Sequence, residues 1–293
     1  MVLFQDKIIY MPYIPPFSRS EEIGIYQAQC GPVSWESKHI KSLDGTNLAI
    51  CVGKVSGNET QTRQVILCYF QGNASSLPPR LPMLSSVLRN IEAARKDPSI
   101  QYVLVALSYR GYWTSTGRAS QRGIELDAQA LLTWVETEFG TDTKVILWGQ
   151  SIGAGVASTA TATYLLRNDQ KLHIQGLILE TPFSNIRSML SAMYPQKWLP
   201  YGYLWPFLWN HWDSEAALRS IAQHMDKPRV LVLPAIKDEI VPASEADKLE
   251  QLCQDIGLQM ERQDVRGALH TEATLKKSGQ DALGKFVAAL AKS

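Results

Sequence analysis

The chain has 293 residues, 45% of them hydrophobic and 19% charged. That is enough apolar material for one sizeable core, and it excludes a disordered, collagenous or membrane-spanning composition. Twenty-nine basic against twenty-eight acidic side chains leave a formal charge of +1, so no global field draws the chain to nucleic acid or to an anionic bilayer. The four cysteines, Cys30, Cys51, Cys68 and Cys253, are far apart and form no C-x-x-C pair; they read as reduced residues in an intracellular, cytoplasmic setting.

Residues 1–10, MVLFQDKIIY, have neither the basic start nor the apolar run of a signal peptide. No run of eighteen apolar residues occurs later, so neither export nor a membrane span is expected, while a peripheral membrane contact stays open. Residues 35–42 and 47–53 flank Asp44-Gly45, a dipeptide suited to a tight turn, and predict an antiparallel hairpin. Val65–Phe70 is an apolar run that stops at Gly72 and Asn73, as a buried strand ending in a loop does. A helix is predicted around Leu81–Lys96, a strand over Tyr102–Ser108, and a helix over 121–139 with Ile124, Ala128, Leu131, Leu132 and Val135 on one face. A strand over Val145–Trp148 and a helix over Ile152–Arg167 come next, then strands over Gly176–Glu180 and Val230–Ala235. A helix over Ser244–Ile256, a strand near Gln259–Val265 and a helix from about Glu272 close the chain.

This alternation, without repeats or a low-complexity linker, predicts a single domain over 1–293 of the α/β class: a mostly parallel sheet with helices on both faces. One segment breaks the pattern. Between about 185 and 227 the chain carries Trp198, Trp205, Trp209 and Trp212 among three prolines, and reads as a small aromatic-rich cap inserted over the sheet. Trp198, Trp205 and Trp209 are candidate walls of an acyl pocket; a cap with its own small core and a membrane-interface belt are the alternatives.

The predicted strand at Val145–Trp148 runs directly into GQSIG, and a helix begins at once after it. A serine on such a sharp strand-to-helix turn tolerates only small neighbours, and Gly149 and Gly153 supply them. Ser151 is therefore the candidate nucleophile, and the helix start beneath it favours developing negative charge. A bare G-x-S-x-G pattern also fits a plain glycine-rich turn, so its weight comes from an acid and a histidine placed later in the chain. Asp238 lies after a late strand in IKDEIVP, and His270 after the last strand in RGALHTEA, the order serine, acid, histidine expected when the nucleophile sits on a strand-to-helix turn of such a sheet. Glu239 beside Asp238 is a competitor for the acid, whereas His270 is the only histidine after it. For the oxyanion, the backbone N–H of Ile152 and that of Asn73 or Ala74 in YFQGNASS are the candidate donors. Arg110 and Tyr112, after a central strand, read as architectural before substrate-binding, and Glu180 as a partner of neighbouring loops. No metal-ligand spacing, P-loop or Rossmann fingerprint occurs, and no cofactor is expected.

Together YFQGNASS, ALSYRGYWTSTGRAS, LWGQSIGAGVA, LETPFSNI, KDEIVP and GALHTE resemble the abhydrolase-domain group of α/β-hydrolases with an HGNA oxyanion signature, from about Phe4 to the C-terminus. The resemblance implies the α/β-hydrolase fold and a serine esterase or thioesterase acting through an acyl-enzyme, with Ser151, Asp238 and His270 on the triad positions. Some members remove fatty acyl chains from protein cysteines, so a small-molecule or lipid acyl ester or thioester, or an acylated protein, is the implied partner. The sequence departs from the group's pattern in two places, with Gln71 for the usual histidine and Ala154 for a second elbow glycine, and in a third the amino-terminal membrane anchor of many members is not expected. A hydrolase-like binding module without turnover, which Gln71 keeps open, and an acyltransferase using the same triad are the alternative readings.

Overall fold

The computed structural model describes residues 5–55, 62–141, 143–193 and 207–292. Its core is an eight-stranded sheet: β1 (Val33–Lys41), β2 (Asn47–Val55), β3 (Arg63–Phe70), β4 (Ile100–Leu107), β5 (Lys144–Gln150), β6 (His173–Glu180), β7 (Arg229–Leu233) and β8 (Met260–Arg262). The order across the sheet is β1-β2-β4-β3-β5-β6-β7-β8. β1 and β2 form the expected antiparallel hairpin about Asp44-Gly45, where Gly45 adopts φ 86°. β2 is antiparallel to β4, and every later pairing is parallel.

The helices among the described residues are α1 (Gln5–Ile9), α2 (Ile23–Cys30), α3 (Leu81–Ala94), α4 (Gln121–Phe139), α5 (Ile152–Leu165), α6 (Ile186–Met193), α7 (Ser214–Ala222), α8 (Ala243–Asp255) and α9 (Lys277–Lys292). Alternate residues of the central strands feed two separate cores. Ile66, Cys68 and Phe70 of β3, with Val145 and Leu147 of β5, face Ile124, Leu131, Val156, Leu218 and Leu249 of α4, α5, α7 and α8. Val65, Leu67 and Tyr69, with Ile146 and Trp148, face Leu84, Leu88, Leu283 and Phe286 of α3 and α9. A strand covered on both faces has no solvent side to make polar, which is why these strands read as unbroken apolar runs. The outer strand β1 instead alternates buried and exposed residues over much of its length.

Several elements differ from expectation at their ends; β6, for instance, begins at His173 and β5 runs on to Gln150. β7 stops at Leu233 because Pro234 has no N–H to continue the ladder; a lone parallel bridge, Ala235 to Val265, carries the pairing past it. β8 is correspondingly short. The last helix starts at Lys277 after a 3-10 turn over Ala273–Leu275, and the Glu272 carboxylate there accepts from the Leu269 N–H.

Of the segment at 185–227, residues 194–206, with Trp198 and Trp205, lie outside the described residues. In the remainder, α7 is N-capped by Asp213 and lays Ala217, Leu218 and Ile221 against the α5 side of the sheet. Trp212 is fully buried, and a Cβ on Gly155 of α5 would meet Trp212 Cβ at 2.9 Å. The Trp212 indole N–H donates to the Tyr10 phenol, which donates in turn to Asn210, so the amino-terminal segment is tied to this stretch.

Candidate active site

The sheet brings the candidate residues to one place through its strand order. From β3 the chain crosses by α3 to β4 on one side, then returns by α4 to β5 on the other side of β3. Strand order thus reverses between β3 and β5, and the crevice at their carboxyl ends is where open α/β sheets bind ligands. The loop Gln71–Ser75 leaves β3 there, and Ser151 leaves β5 there.

Ser151 sits at φ 54° and ψ −119° between β5 and α5. A non-glycine residue held at positive φ costs roughly 1–3 kcal/mol and persists only where its surroundings enforce it. Here the Ser151 N–H donates to Glu180 O at 2.8 Å, and the Ala154 N–H to Ser151 O at 2.8 Å. The side chain does not cap α5, so its hydroxyl is available to a partner outside the helix.

The turn leaves no room for side chains at the two predicted glycines. A Cβ on Gly149 would lie 2.0 Å from Gly153 O, and one on Gly153 would lie 2.1 Å from Phe70 O. Both obstacles are backbone, so neither can swing aside. Gly153→Ala is expected to lower stability by about 1–3 kcal/mol, the cost of an overpacked site, read as a fall in the thermal midpoint; an unchanged midpoint contradicts the packing described. Ala154, by contrast, fits as it stands, fully buried in the core.

His270 Nε2 lies 2.8 Å from Ser151 Oγ, and His270 Nδ1 lies 2.8 and 3.0 Å from the two Asp238 carboxylate oxygens. The histidine and aspartate side chains are 6% and 5% exposed, so the bonds among them are little competed by water. Their loops are laced together: Ile236 N–H donates to Val265 O at 3.1 Å, and Lys237 N–H to Ala268 O at 3.0 Å. Asp238 Oδ1 also accepts from the N–H groups of Ile240 and Val241, at 2.8 and 2.7 Å, which holds the carboxylate at a set angle to the ring. Glu239, the competing acid, accepts instead from the His270 backbone N–H at 3.0 Å. With the ring proton on Nδ1 facing Asp238, Nε2 is left to accept from the Ser151 hydroxyl. Such a line can pass a proton from serine to imidazole as the oxygen attacks an electrophile.

The loop after β3 closes on this serine. A Cβ on Gly72 would lie 3.6 Å from Ser151 Cβ and 3.2 Å from Gln150 Oε1, so glycine lets the loop backbone approach. Ile152 opens α5, where the first N–H groups of a helix have no partner within it. The Ala74 N–H is taken by Asn73 Oδ1 at 2.9 Å, whereas the Asn73 N–H has no acceptor among the described residues. Gln71 is fully buried; its carbonyl accepts from the Tyr109 phenol at 2.8 Å, and neither atom of its side-chain amide has a partner among the described residues.

Behind the turn lies a polar layer of which the sequence pattern marks only Glu180. This carboxylate, wholly buried, accepts from Trp148 Nε1 at 3.0 Å and from Thr274 N and Oγ1 at 3.1 and 2.7 Å. Burial pushes its pKa up, against those bonds. Glu180 thus joins the strand that carries Ser151 to the loop beyond His270. Arg80 donates to Gln150 Oε1 at 2.7 Å and to Ala74 O at 3.2 Å, joining the same strand to the loop after β3. Nothing in the spacing of Arg80 marks it; only the folded loop brings it here.

Among the described residues, neither Trp209 nor Arg110 has a hydrogen bond to the serine. Trp209 is 58% exposed, and its N–H donates to Gln5 Oε1. Arg110 is committed to structure: it bonds Asp127, Asp44 and Ser42 and ties the loop after β4 to α4 and the hairpin. The four cysteines are free and buried. Among the described residues no group of three His, Cys, Asp or Glu side chains could hold a metal ion, and no helix is long and apolar enough to cross a membrane.

Comparison with known proteins agrees with this architecture. Residues 72–237, more than half of the chain, match the alpha/beta hydrolase fold family. Protein bem46 of Schizosaccharomyces pombe is 33% identical over 199 residues, covering 67% of this chain and 58% of that protein. The alpha/beta hydrolase domain-containing protein WAV2 of Arabidopsis thaliana is 29% identical, covering 83% of this chain and 73% of its own length. The lysophosphatidylserine lipase ABHD12 of Danio rerio is 31% identical, covering 66% of this chain and 48% of its own length. The chain thus spans about half to three quarters of these relatives. Among solved structures, an alpha-beta hydrolase from Vibrio vulnificus superposes with a TM-score of 0.68 at 17% identity, covering 96% of this chain and 88% of its own. An esterase from Pyrobaculum calidifontis does so with a TM-score of 0.63 at 16% identity, covering 100% and 93%. With the eight-stranded sheet, the strained serine turn and the match over residues 72–237 in agreement, this chain belongs to the alpha/beta hydrolase fold family.

Proposed function

We propose that the chain is a serine hydrolase that cleaves carboxylic esters through an acyl-enzyme. The observation that carries this reading is the unbroken line from Asp238 through His270 to Ser151, with each link 2.8 Å long at its shortest, ending on a serine held at φ 54°. In this reading Ser151 Oγ attacks the acyl carbonyl carbon while His270 Nε2 takes its proton, and Asp238 balances the imidazolium. The carbonyl oxygen, now negative, is received by the N–H groups of Ile152 and Asn73; the occupied N–H of Ala74 argues against that residue as a donor. Collapse of the adduct breaks the bond to the leaving oxygen, which takes the proton from His270. Water enters, gives a proton to His270 as it attacks the acyl carbon, and the carboxylic acid leaves as Ser151 recovers its proton.

The substrate we favour is a single-chain acyl lipid, a class suggested by the lysophosphatidylserine lipase among the relatives. Exposed apolar side chains add support: Tyr13, Ile14 and Phe17 lie on the amino-terminal segment, and Phe207 and Trp209 on the stretch bonded to Gln5. They suit a peripheral contact with a lipid surface. The purified chain is expected to hydrolyse p-nitrophenyl butyrate and to release fatty acid from a monoacyl glycerophospholipid. A folded chain that turns over neither ester contradicts the reading; turnover of the small ester alone keeps the chemistry and removes the lipid.

A further inference from the structure

The loop after β3 is held from behind by one of its own side chains. Asn73 Oδ1 accepts from three donors: the Ala74 N–H at 2.9 Å, the Met11 N–H at 3.1 Å and the Tyr112 phenol at 3.0 Å. An amide oxygen has two lone pairs, so three donors saturate it and leave it nothing to offer a substrate. Tyr112 is itself 1% exposed, packed edge to face on Tyr109, so its hydroxyl is delivered by a rigid ring. Downstream of Asn73 the backbone turns sharply, with Ala74 at φ 59° and Ser75 at φ 63°. Two successive non-glycine residues in the left-handed region need outside support to stay there. The Ser75 N–H donates to Ile14 O at 2.5 Å, so the segment around Met11–Ile14 grips the loop on both sides of the turn.

We propose that the Asn73 side chain is the positioning residue of the oxyanion hole. By anchoring its oxygen on Met11, Ala74 and Tyr112, it turns its own backbone N–H towards the oxyanion on the acyl carbon bonded to Ser151 and keeps the Ala74 N–H out of the hole. Tyr112 acts through the same oxygen. The inference rests on the serine hydrolase reading above and deepens it: the side chain touches no reacting atom, yet the charge that develops in the transition state depends on it.

Asn73→Ala removes the anchor and leaves the backbone N–H in place but unaimed. Loss of one oxyanion donor costs about a hundred- to a thousandfold in kcat, and misdirection of one is expected to cost on the order of ten- to a hundredfold. KM should stay within about twofold, because the charge is absent from the bound ester. Tyr112→Phe leaves the Asn73 side chain in place and removes only the phenol oxygen, with its bond to Asn73 and its contact with the Met11 N–H, and is expected to lower kcat by roughly three- to tenfold. The double variant should be no slower than Asn73→Ala, since both act through one oxygen. A trifluoromethyl ketone, which forms a tetrahedral oxyanion on the serine, should lose affinity by the same factor as kcat/KM. The pH profile of kcat/KM should not move.

All rates are taken per active serine, titrated with a fluorophosphonate, so that misfolded molecules do not count. Rates and ketone affinities of both variants equal to those of the native chain overturn the proposal, as does a loss confined to KM. Should Asn73→Ala fail to fold, Tyr112→Phe alone decides. A native chain that neither takes up the label nor hydrolyses an ester overturns the hydrolase reading and this inference together; an active native chain beside unimpaired variants overturns this inference alone.

Discussion

Ser151→Ala is expected to lower kcat/KM for p-nitrophenyl butyrate by roughly four to six orders of magnitude, to the rate that the remaining donors and the binding site supply without a nucleophile. Alanine is well suited to the test. The Ser151 hydroxyl makes no capping bond to α5 and donates only towards His270, so its loss removes chemistry and leaves the packing of the turn. The strain at φ 54° is a backbone property that alanine shares. The thermal midpoint should therefore stay within a few degrees while turnover disappears. Undiminished hydrolysis by the variant would place the nucleophile elsewhere.

Asp238→Asn is expected to lower kcat by about ten-thousandfold near neutral pH. Its effect arises from the two backbone donors on Oδ1. Ile240 and Val241 both point N–H groups at that oxygen, so an asparagine must keep its carbonyl oxygen there and turn its NH2 towards the Oδ2 position. That group then donates to His270 Nδ1, which must accept, and the ring proton moves to Nε2. Nε2 now faces Ser151 as a donor and cannot take its proton. The fold is expected to survive, because the substituted amide keeps both backbone bonds. The check is kcat measured beside the thermal midpoint; a variant with more than about a tenth of native kcat contradicts the tautomer that the geometry requires.

Much of the fold is legible in the sequence because both faces of the central sheet are covered. Burial on two sides leaves the runs at Val65–Phe70 and Tyr102–Leu107 almost wholly apolar, and the helix over 121–139 shows its stripe because only one side of it meets the sheet. The amino-terminal helices leave no such signal. α2 spreads Ile23, Ile25, Ala28 and Cys30 around its circumference and buries only Cys30, so no period can show. α7 merges into the aromatic-rich segment, although Asp213 before Ser214 is a recognisable cap.

The candidate site divides in the same way. Ser151, Asp238 and His270 can be named because each lies beyond a strand that announces itself, and Gly149 and Gly153 because a backbone at about 2 Å excludes a side chain. The supports are hidden. Arg80, Tyr112 and Met11 are separated from Ser151 by roughly 40 to 140 residues and are joined to the site only by hydrogen bonds that exist once the loops are folded. Asn73 stands out in the sequence for its backbone, yet its side chain carries the more unusual geometry.

That Ser151 is an activated nucleophile is the central claim, and covalent trapping measures it directly. The native chain, treated with a fluorophosphonate and mapped by mass spectrometry, is expected to gain one label, on the peptide containing Ser151, and to lose hydrolysis in proportion to labelling. Ser151→Ala should gain none. A folded native chain left unlabelled at Ser151, or labelled equally in the alanine variant, would contradict the account.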